Sequence, residues 1–594
     1  QGVYVSEPNE KYGKLIWVCD TGSNRIVVFD EFGNFQRIVE EPESSLFDQD
    51  SVYKPVAMAV DQYNRLYVVS STTYQGIIVM NSEGAFVGFI GAQAVTISAW
   101  EILWRSFQTD AQRKASAQKT SVIYNNIAIS EEGFIYVTTS GIEEKSVAND
   151  ITNKVRDGKF MPVKMLNPSG DEIMRRNGFW PPAGEINFKG SGGVSTIVDV
   201  ATGPEKTWSI VDTKREKIYT YDFNGNLLFA FGDTGTMLGS ISNVCAIAYQ
   251  GTKMLILDSG SKSLIIYNRT EYGDMLIQAI AAENSLDYDY AIQCWEKVLQ
   301  RNSNFDAAYV GIGNALYRSA DYEEALEYYE KAYDTSNWSE SYKMVRKEWM
   351  SVWLLPIVAL IIVFIVLIVK FLGWAAKVNK RVATDGRERK RFWEELIYGF
   401  YVIFHPFDGF YDLKHEKRGS VRASLVFIAL TILSFFYQGI GQGYVVNPTG
   451  ATSTLWSQAI SILVPLFLFV LANWCLTTLF EGEGSFKDIF ISTSYALFPL
   501  PILVIVSTAL TNVLVGTESQ IPSLILTVAY IYMAFLIIIG MQVTHDYSTG
   551  KNIVTIVMTL VGMVVIMFIA VLFISLISKM AGFASTIFSE ISYR

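Results

Sequence analysis

The sequence predicts a multidomain chain: an all-β propeller of about five or six blades, an α-helical repeat array, and an α-helical polytopic membrane bundle of about six transmembrane helices. Three observations predict it. One hairpin pattern recurs five times within residues 1–275. Beyond Asp274 the apolar period changes from two to 3.6, and a helical pattern repeats itself thirty-four residues on. The remainder carries long runs of Leu, Ile, Val and Phe that only lipid would solvate. The expected boundaries are 1–273 for the propeller, 274–347 for the helical repeats, 348–375 for the first transmembrane helix, 376–422 for a basic segment with an interfacial helix, and 423–594 for a five-span block.

Composition supports the division and excludes one class of partner. The chain has 594 residues, too many for a single core, and its first 347 or so are polar and acidic. Nucleic acid is not an expected partner, because phosphate neutralisation needs a clustered basic surface. Here the net charge is −10, and basic residues cluster only beside a membrane span. The chain opens without Met or a signal sequence, and Gly2-Val3-Tyr4-Val5 reads as the inside of a strand, so a chain trimmed at its N-terminus is expected. Of the four cysteines, Cys19, Cys245 and Cys294 precede the first span without metal-ligand spacing. Cys19 and Cys245 sit in apolar strand contexts and are expected to be buried free thiols.

The propeller expectation rests on a strand, a gap, a second strand and a closing Asp or Asn followed three residues later by Gly. Ile16-Trp17-Val18 leads to Ile26-Val27-Val28-Phe29-Asp30 and Gly33, and Leu66-Tyr67-Val68 leads to Ile77-Ile78-Val79-Met80-Asn81 and Gly84. Ile135-Tyr136-Val137 leads, after an insertion, to Val163-Lys164-Met165-Leu166-Asn167 and Gly170. Ser209-Ile210-Val211-Asp212 leads to Ile218-Tyr219-Thr220-Tyr221-Asp222 and Gly225, and Leu255-Ile256-Leu257-Asp258 leads to Leu264-Ile265-Ile266-Tyr267-Asn268, where the closing Gly is missing. The Asp or Asn side chain closes a turn on the backbone ahead of it and Gly supplies the positive φ, so each block is a hairpin. Such hairpins in tandem close best as radial blades, which leave little edge exposed. Asp20-Thr21-Gly22-Ser23-Asn24-Arg25-Ile26 and Asp258-Ser259-Gly260-Ser261-Lys262-Ser263-Leu264 resemble NHL-type propeller repeats. Five blades are visible, and a sixth is expected either before the first residue or closed from the N-terminus.

Histidine placement decides against catalysis in this part. His405, His415 and His545 are the only histidines and all lie beyond the first span, so the propeller holds neither a Ser-His-Asp triad nor a His-ligated metal. A calcium-dependent hydrolase built from carboxylates needs only oxygen ligands, but no carboxylate-rich loop stands out. The expectation is a non-enzyme with no catalytic residue, cofactor or metal. Two insertions break the blade spacing. Residues 97–118 carry Trp100, Trp104 and Phe107 on a helical period, and residues 172–193 carry Phe179-Trp180-Pro181-Pro182. These aromatics either pack on the propeller rim or stack on a sugar or partner protein. Trp100, Trp104, Phe179 and Trp180 are therefore the candidate ligand or partner contacts. Gly190-Ser191-Gly192-Gly193 lacks the following Lys of a phosphate loop and reads as a turn.

In the helical segment, Tyr288, Ala291 and Trp295 recur as Tyr322, Ala325 and Tyr329. That spacing, with Gly313, Ala325, Tyr329 and Ala332 at small and aromatic positions, resembles the tetratricopeptide repeat family, whose usual role is protein binding. Two copies cannot bury a continuous core alone, so the array is expected to lean on a neighbour.

Residues 354–371 are long and apolar enough to span, with Trp349 and Trp353 before them and Trp374 after. Lys377, Lys380, Arg381, Arg387, Arg389, Lys390 and Arg391 follow, then Lys414, Lys417, Arg418 and Arg422. The positive-inside bias makes this side cytoplasmic and puts residues 1 to about 348 outside the cell. Five further spans are expected near 424–444, 456–480, 489–515, 522–543 and 553–577. Residues 392–404, with aromatics on one face and Glu394-Glu395 on another, read as a helix lying at the cytoplasmic interface that His405-Pro406 stops. Asn473, Thr477, Thr478, Ser492, Thr493, Ser494 and Asn512 read as interhelical glue. No ionisable residue lies deep in a span apart from Lys370 near an end, which disfavours an ion-coupled carrier.

Phe404-His405-Pro406-Phe407-Asp408-Gly409-Phe410 with Asp412-Leu413-Lys414, Asn473-Trp474, Glu481-Gly482-Glu483-Gly484-Ser485-Phe486-Lys487-Asp488, Tyr495-Ala496-Leu497-Phe498-Pro499 and His545-Asp546-Tyr547-Ser548 resemble motifs of the Ypt-interacting-protein (Yip) family, over roughly residues 392–580. The resemblance implies a cytosolic N-terminus and five spans. It makes His405, Pro406, Asp408, Gly409, Glu481, Glu483 and Lys487 candidates for docking a partner on the cytoplasmic side. Proteins that join these three kinds of module resemble envelope proteins of Gram-positive bacteria associated with carbohydrate ABC importers. That resemblance implies a multi-pass protein of the bacterial plasma membrane, in contact with lipid, permease subunits and an extracellular solute-binding protein. Two alternatives stand beside it: an envelope- or lipid-homeostasis protein, and the calcium-dependent propeller hydrolase.

Overall fold

The computed structural model describes residues 2–6, 8, 13–42, 53–73, 75–91, 123–140, 142–152, 160–175, 183–185, 193–235, 237, 239–384 and 390–592. It divides into two compact units, Gln1–Asp334 and Thr335–Arg594.

The first unit opens with five antiparallel sheets whose strands follow one another in sequence order. The first comprises β1 (Val3–Val5), β2 (Leu15–Asp20), β3 (Arg25–Asp30) and β4 (Phe35–Val39). The second comprises β5 (Pro55–Val60), β6 (Leu66–Ser70), β7 (Ile77–Met80) and β8 (Phe86–Ile90). The third has β9 (Ile123–Ile129), β10 (Ile135–Ser140) and β11 (Val163–Leu166), with α1 (Glu144–Thr152) before its last strand and a single bridge from Leu166 to Glu172 at its edge. The fourth comprises β12 (Ile197–Thr202), β13 (Trp208–Asp212), β14 (Lys217–Tyr221) and β15 (Leu227–Phe231), and the fifth β16 (Val244–Gln250), β17 (Lys253–Asp258) and β18 (Ser263–Asn268). First strands of successive sheets lie side by side, β5 on β9, β9 on β12 and β12 on β16, which makes a five-blade propeller. Its core is a series of apolar layers between blades, such as Trp17, Ile26 and Val28 against Met58, Leu66 and Ile78.

Two repeated side-chain staples explain why these residues form blades. In the first, the Asp or Asn ending a third strand accepts backbone N–H groups of the turn it opens. Asp30 Oδ1 accepts from Phe32 and Asn34 at 3.0 and 2.8 Å, Asn81 Oδ1 from Glu83 and Ala85 at 3.0 and 2.9 Å, and Asn167 Oδ1 from Ser169 and Asp171 at 3.0 and 2.9 Å. Gly33, Gly84, Gly170 and Gly225 close these turns at φ of 83, 92, 91 and 83°, where a Cβ would be strained. In the second staple, the last residue of a blade's second strand holds the entry to its first. Ser70 Oγ accepts from Lys54 N–H at 3.1 Å, Asp212 Oδ1 from Thr196 N–H at 2.9 Å and Asp258 Oδ2 from Ser242 N–H at 2.9 Å. Cys19 is buried as expected, but Cys245 is exposed. The β16–β17 register shifts between Val244 and Ala246, which turns Cys245 out of the apolar layer.

Four helices follow, α2 (Glu271–Asn284), α3 (Tyr288–Arg301), α4 (Asp306–Arg318) and α5 (Tyr322–Lys331), each packed on the next. Thr270 caps α2 by accepting from Gly273 N–H, which ends the fifth blade after three strands. The repeated positions Ala291, Trp295, Ala325 and Tyr329 are all buried. A Cβ on Gly313 would lie 2.7 Å from the Tyr329 ring, so α4 and α5 meet at a distance only glycine permits.

The second unit begins with α6 (Thr335–Thr384), a single helix of 50 residues, followed by α7 (Phe392–Phe404), α8 (Pro406–Lys414), α9 (Val421–Gly441) and α10 (Leu455–Thr477). Then come α11 (Phe486–Ala496), α12 (Pro499–Thr511), α13 (Gln520–His545) and α14 (Thr549–Ser592). Among the described residues, six helical segments are long and apolar enough to cross a membrane. The span expected at 489–515 is broken between Ala496 and Pro499. Pro499 has no N–H to continue α11 and instead opens α12. Residues 491–501 around this break are continuously buried, at the centre of the bundle.

The loops sort to the two ends of the bundle. At one end, Tyr342 and Arg346 near the start of α6 donate to the carbonyls of Asn512 and Val513, Arg346 pairs with Glu518 at 2.7 Å, and Trp338 packs on Tyr444. At the other, Phe371 packs on Phe400 and Trp374 stacks on Trp393. Between Ser341 and Ala375 no residue of α6 is buried. The helix is held at its two ends, and its apolar middle faces outward.

Candidate functional site

The end of the bundle that carries α7 and α8 gathers most of the polar motifs. Its corner is made by His405 and Pro406. His405 N–H donates to Tyr401 O at 2.9 Å and finishes α7; Pro406 opens α8, whose Gly409 N–H returns to His405 O at 2.7 Å. A Cβ on Gly409 would stand 2.9 Å from Val402 Cα, so glycine is what lets the two helices cross so closely. His405 and Asp408 are exposed, and the His405 ring stacks on Tyr401 with centroids 4.5 Å apart.

Two buried polar knots brace this corner. Glu395, 5% exposed, accepts from Ser420 Oγ at 2.5 Å and from Arg422 Nε and Nη2 at 2.9 and 3.0 Å. Glu394 is buried too, and caps its own helix by accepting from Arg391 N–H at 2.9 Å. The polar face expected of this helix is thus turned inward, because Arg422 and Ser420 of the next element meet Glu395 there. In the second knot, Tyr398 Oη donates to Asp412 Oδ2 at 2.9 Å and the Arg418 guanidinium lies over the Tyr398 ring at 4.7 Å. Arg418 Nη2 also donates to Asn379 O of α6 at 3.2 Å. Burial, then the Asp412 carboxylate, hold the Tyr398 phenol far above its ordinary pKa.

The loop between α10 and α11 is tied in by Lys414 Nζ, 2.8 Å from Glu483 Oε2, and this hydrogen bond lowers the Glu483 pKa. Next to it runs a fully buried relay. Gly484 N–H donates to His545 Nδ1 at 3.3 Å, which leaves the ring proton on Nε2 to donate to Asn473 Oδ1 at 2.8 Å. Asn473 Nδ2 donates to Thr559 Oγ1 at 3.0 Å, and Thr559 to Thr555 O at 2.8 Å. The relay joins α10, α13 and α14. Tyr547 stacks on His545 at 5.0 Å, and a Cβ on Gly484 would lie 2.8 Å from His545 Cε1.

Of the expected docking residues, His405, Pro406, Asp408 and Gly409 form one corner, and Glu483 joins it through Lys414. Glu481 lies 4.0 Å from Lys551 instead, and Lys487 is exposed in the first turn of α11. The propeller candidates Trp100, Trp104, Phe179 and Trp180 lie outside the described residues. Glu395, Arg418, Arg422, Thr559 and His545 were not among the expected site residues. The arginines read only as cytoplasmic charge, and Thr559 carried no signal within its apolar helix. Among the described residues, no group of three or more His, Cys, Asp and Glu side chains could hold a metal ion.

Residues 400–572 match the family model described as the Yip1 domain. No curated protein matches the chain. Among solved structures, a streptogramin B lyase is 12% identical, covering 45% of this chain and 67% of that one at a TM-score of 0.25. The calcium-binding protein regucalcin from Agrobacterium tumefaciens is 11% identical, covering 45% and 70% at a TM-score of 0.26. A nidogen/laminin complex is 11% identical, covering 45% and 75% at a TM-score of 0.26. At such identities and scores these likenesses have no bearing on activity.

Proposed function

With a Yip1 domain as its membrane base, we propose that this chain is a non-enzymatic binding and scaffold protein of the bacterial plasma membrane, an accessory subunit of an assembly such as a carbohydrate ABC importer. The NHL-type propeller and tetratricopeptide-like array, outside the cell, engage a solute-binding protein or a glycan. The corner at His405–Gly409, with Glu483, meets the permease from the cytoplasmic side. One observation carries the non-catalytic reading: the buried carboxylates of the blades are engaged by their own backbone. Asp199 accepts from Val200 N–H and Ile247 N–H at 2.8 and 2.7 Å, and from Asn126 Nδ2 at 2.6 Å. Asp258 accepts from Ser242, Asn243 and Gly260 N–H, each at 2.8 to 2.9 Å. Such bonds give these groups a structural role in holding strands together, which supports the non-catalytic reading.

Gentle solubilisation of the full chain from its native membrane, followed by mass spectrometry of the intact complex, tests the proposal. A permease or a solute-binding protein retained with the chain is the expected result. Recovery of the chain with lipid and no protein overturns it, and calcium-dependent lactone turnover by the purified chain overturns the non-enzymatic part.

A further inference from the structure

Where α6 leaves the apolar span, its exposed face is basic and aromatic. Lys370, Trp374, Lys377 and Arg381 follow one another at intervals of four, three and four residues, so they share one side of the helix. Ala375, Asn379 and Val382, on the other side, are buried. The four stripe residues are exposed. Trp374 stacks on Trp393 of α7, ring centroids 6.3 Å apart and planes within 16°, which brings the stripe beside Arg391 at the start of that helix. Among the described residues, the nearest carboxylates of α7 have other partners. Glu395 is engaged by Arg422 and Ser420, and Glu394 by the backbone of Arg391. Among the described residues, Lys370, Lys377, Arg381 and Arg391 make no ion pair.

We propose that this juncture binds the headgroup of an anionic glycerophospholipid. The phosphate is held by Lys377, Arg381 and Arg391, the glycerol region lies against the Trp374–Trp393 pair, and the acyl chains run along the unburied middle of α6. Charge complementarity selects the occupant: a basic, aromatic-flanked surface at the end of an apolar helix offers cations at phosphate depth and hydrocarbon contact beyond it. A zwitterionic lipid presents no net charge to these cations, and the exposed, unpartnered span supplies the surface its chains need. The inference goes beyond the scaffold reading, because it concerns only the membrane unit and stands whatever the propeller binds.

The test is native mass spectrometry of the full chain released from nanodiscs of mixed phosphatidylglycerol and phosphatidylcholine. Phosphatidylglycerol should be retained in preference. The double variant Lys377→Gln/Arg381→Gln should lower that preference at least roughly fivefold, the change expected for loss of one effective surface charge. Lys377→Arg, which keeps the charge, should retain it, and so should Lys343→Gln/Lys347→Gln at the opposite end of α6. Equal retention of the two lipids by the unaltered chain overturns the proposal, as does an unchanged preference in the double variant. A photo-crosslinker at residue 377 that captures a membrane protein instead of lipid overturns it too.

Discussion

Asn473→Leu isolates the buried relay at the polar end of the bundle. The substitution removes the bonds to His545 Nε2 at 2.8 Å and to Thr559 Oγ1 at 3.0 Å. Interhelical hydrogen bonds within a membrane contribute about 0.6 kcal/mol each on average and up to about 1.7, so the two lost bonds account for about 1–2 kcal/mol. Thr559 keeps its bond to Thr555 O, but the His545 N–H is left buried without an acceptor, which costs a further 1–2 kcal/mol or so. The expected loss is about 2–4 kcal/mol, read from reversible unfolding of the full chain in mixed micelles. His545→Leu should cost a similar amount, since it orphans Asn473 Oδ1 and Gly484 N–H. The double variant removes the His545 N–H and Asn473 Oδ1 orphans and leaves only Gly484 N–H unpaired, so its loss should fall short of the sum by at least about 1 kcal/mol. Additive losses, or an Asn473→Leu cost below about 0.5 kcal/mol, would refute the relay as an interhelical tie.

Two further outcomes follow from the first unit. Burial, opposed by the Trp295 Nε1 hydrogen bond, pushes the Glu283 carboxyl up to about 8 from 4.5. The folded state therefore holds a proton that the unfolded chain releases, and the stabilisation is complete below pH 4.5 and lost as pH rises through about 8. Thermal unfolding of the first unit, followed in the full chain, should show about 3 kcal/mol less stability at pH 9 than at pH 6, and Glu283→Gln should flatten that slope. Gly313→Ala sets a methyl 2.7 to 3.0 Å from three atoms of the Tyr329 ring and should destabilise the helical array by about 1–3 kcal/mol, measured by the same unfolding.

What was legible in the sequence was local or was enforced by solvent. Asp30, Asn81 and Asn167 are readable as turn closers because the groups they bind lie two and four residues ahead. The apolar segments are readable because lipid imposes length and composition on any helix that crosses it. The features that escaped depend on residues far along the chain. Glu395 looks like one end of a polar face until Arg422 and Ser420, more than twenty residues on, arrive to bury it. Cys245 alternates like a core residue, and only the pairing of β16 with β17 reveals the shift that exposes it. The break at Pro499 was within reach, since proline in an apolar run ends a helix unless a neighbour satisfies the backbone. Hydropathy alone smoothed over it.

The polar groups at the α7–α8 end fall into two classes that mutation should separate. Glu395, Arg418, Arg422, Asn473 and His545 have partners inside the unit, so changing them alters stability before it alters recognition. His405 and Asp408 on the corner, and Lys377 and Arg381 on α6, present their groups outward. Their removal leaves no buried group unpaired, so the fold should tolerate it. A corner that docks a permease and a stripe that holds an anionic headgroup therefore predict opposite patterns. His405→Ala/Asp408→Ala should release a protein partner and leave the lipid preference unchanged. Lys377→Gln/Arg381→Gln should erase the lipid preference and leave the partner bound. If both pairs of substitutions shift both readouts together, the corner and the stripe are one surface, and lipid and protein compete for it.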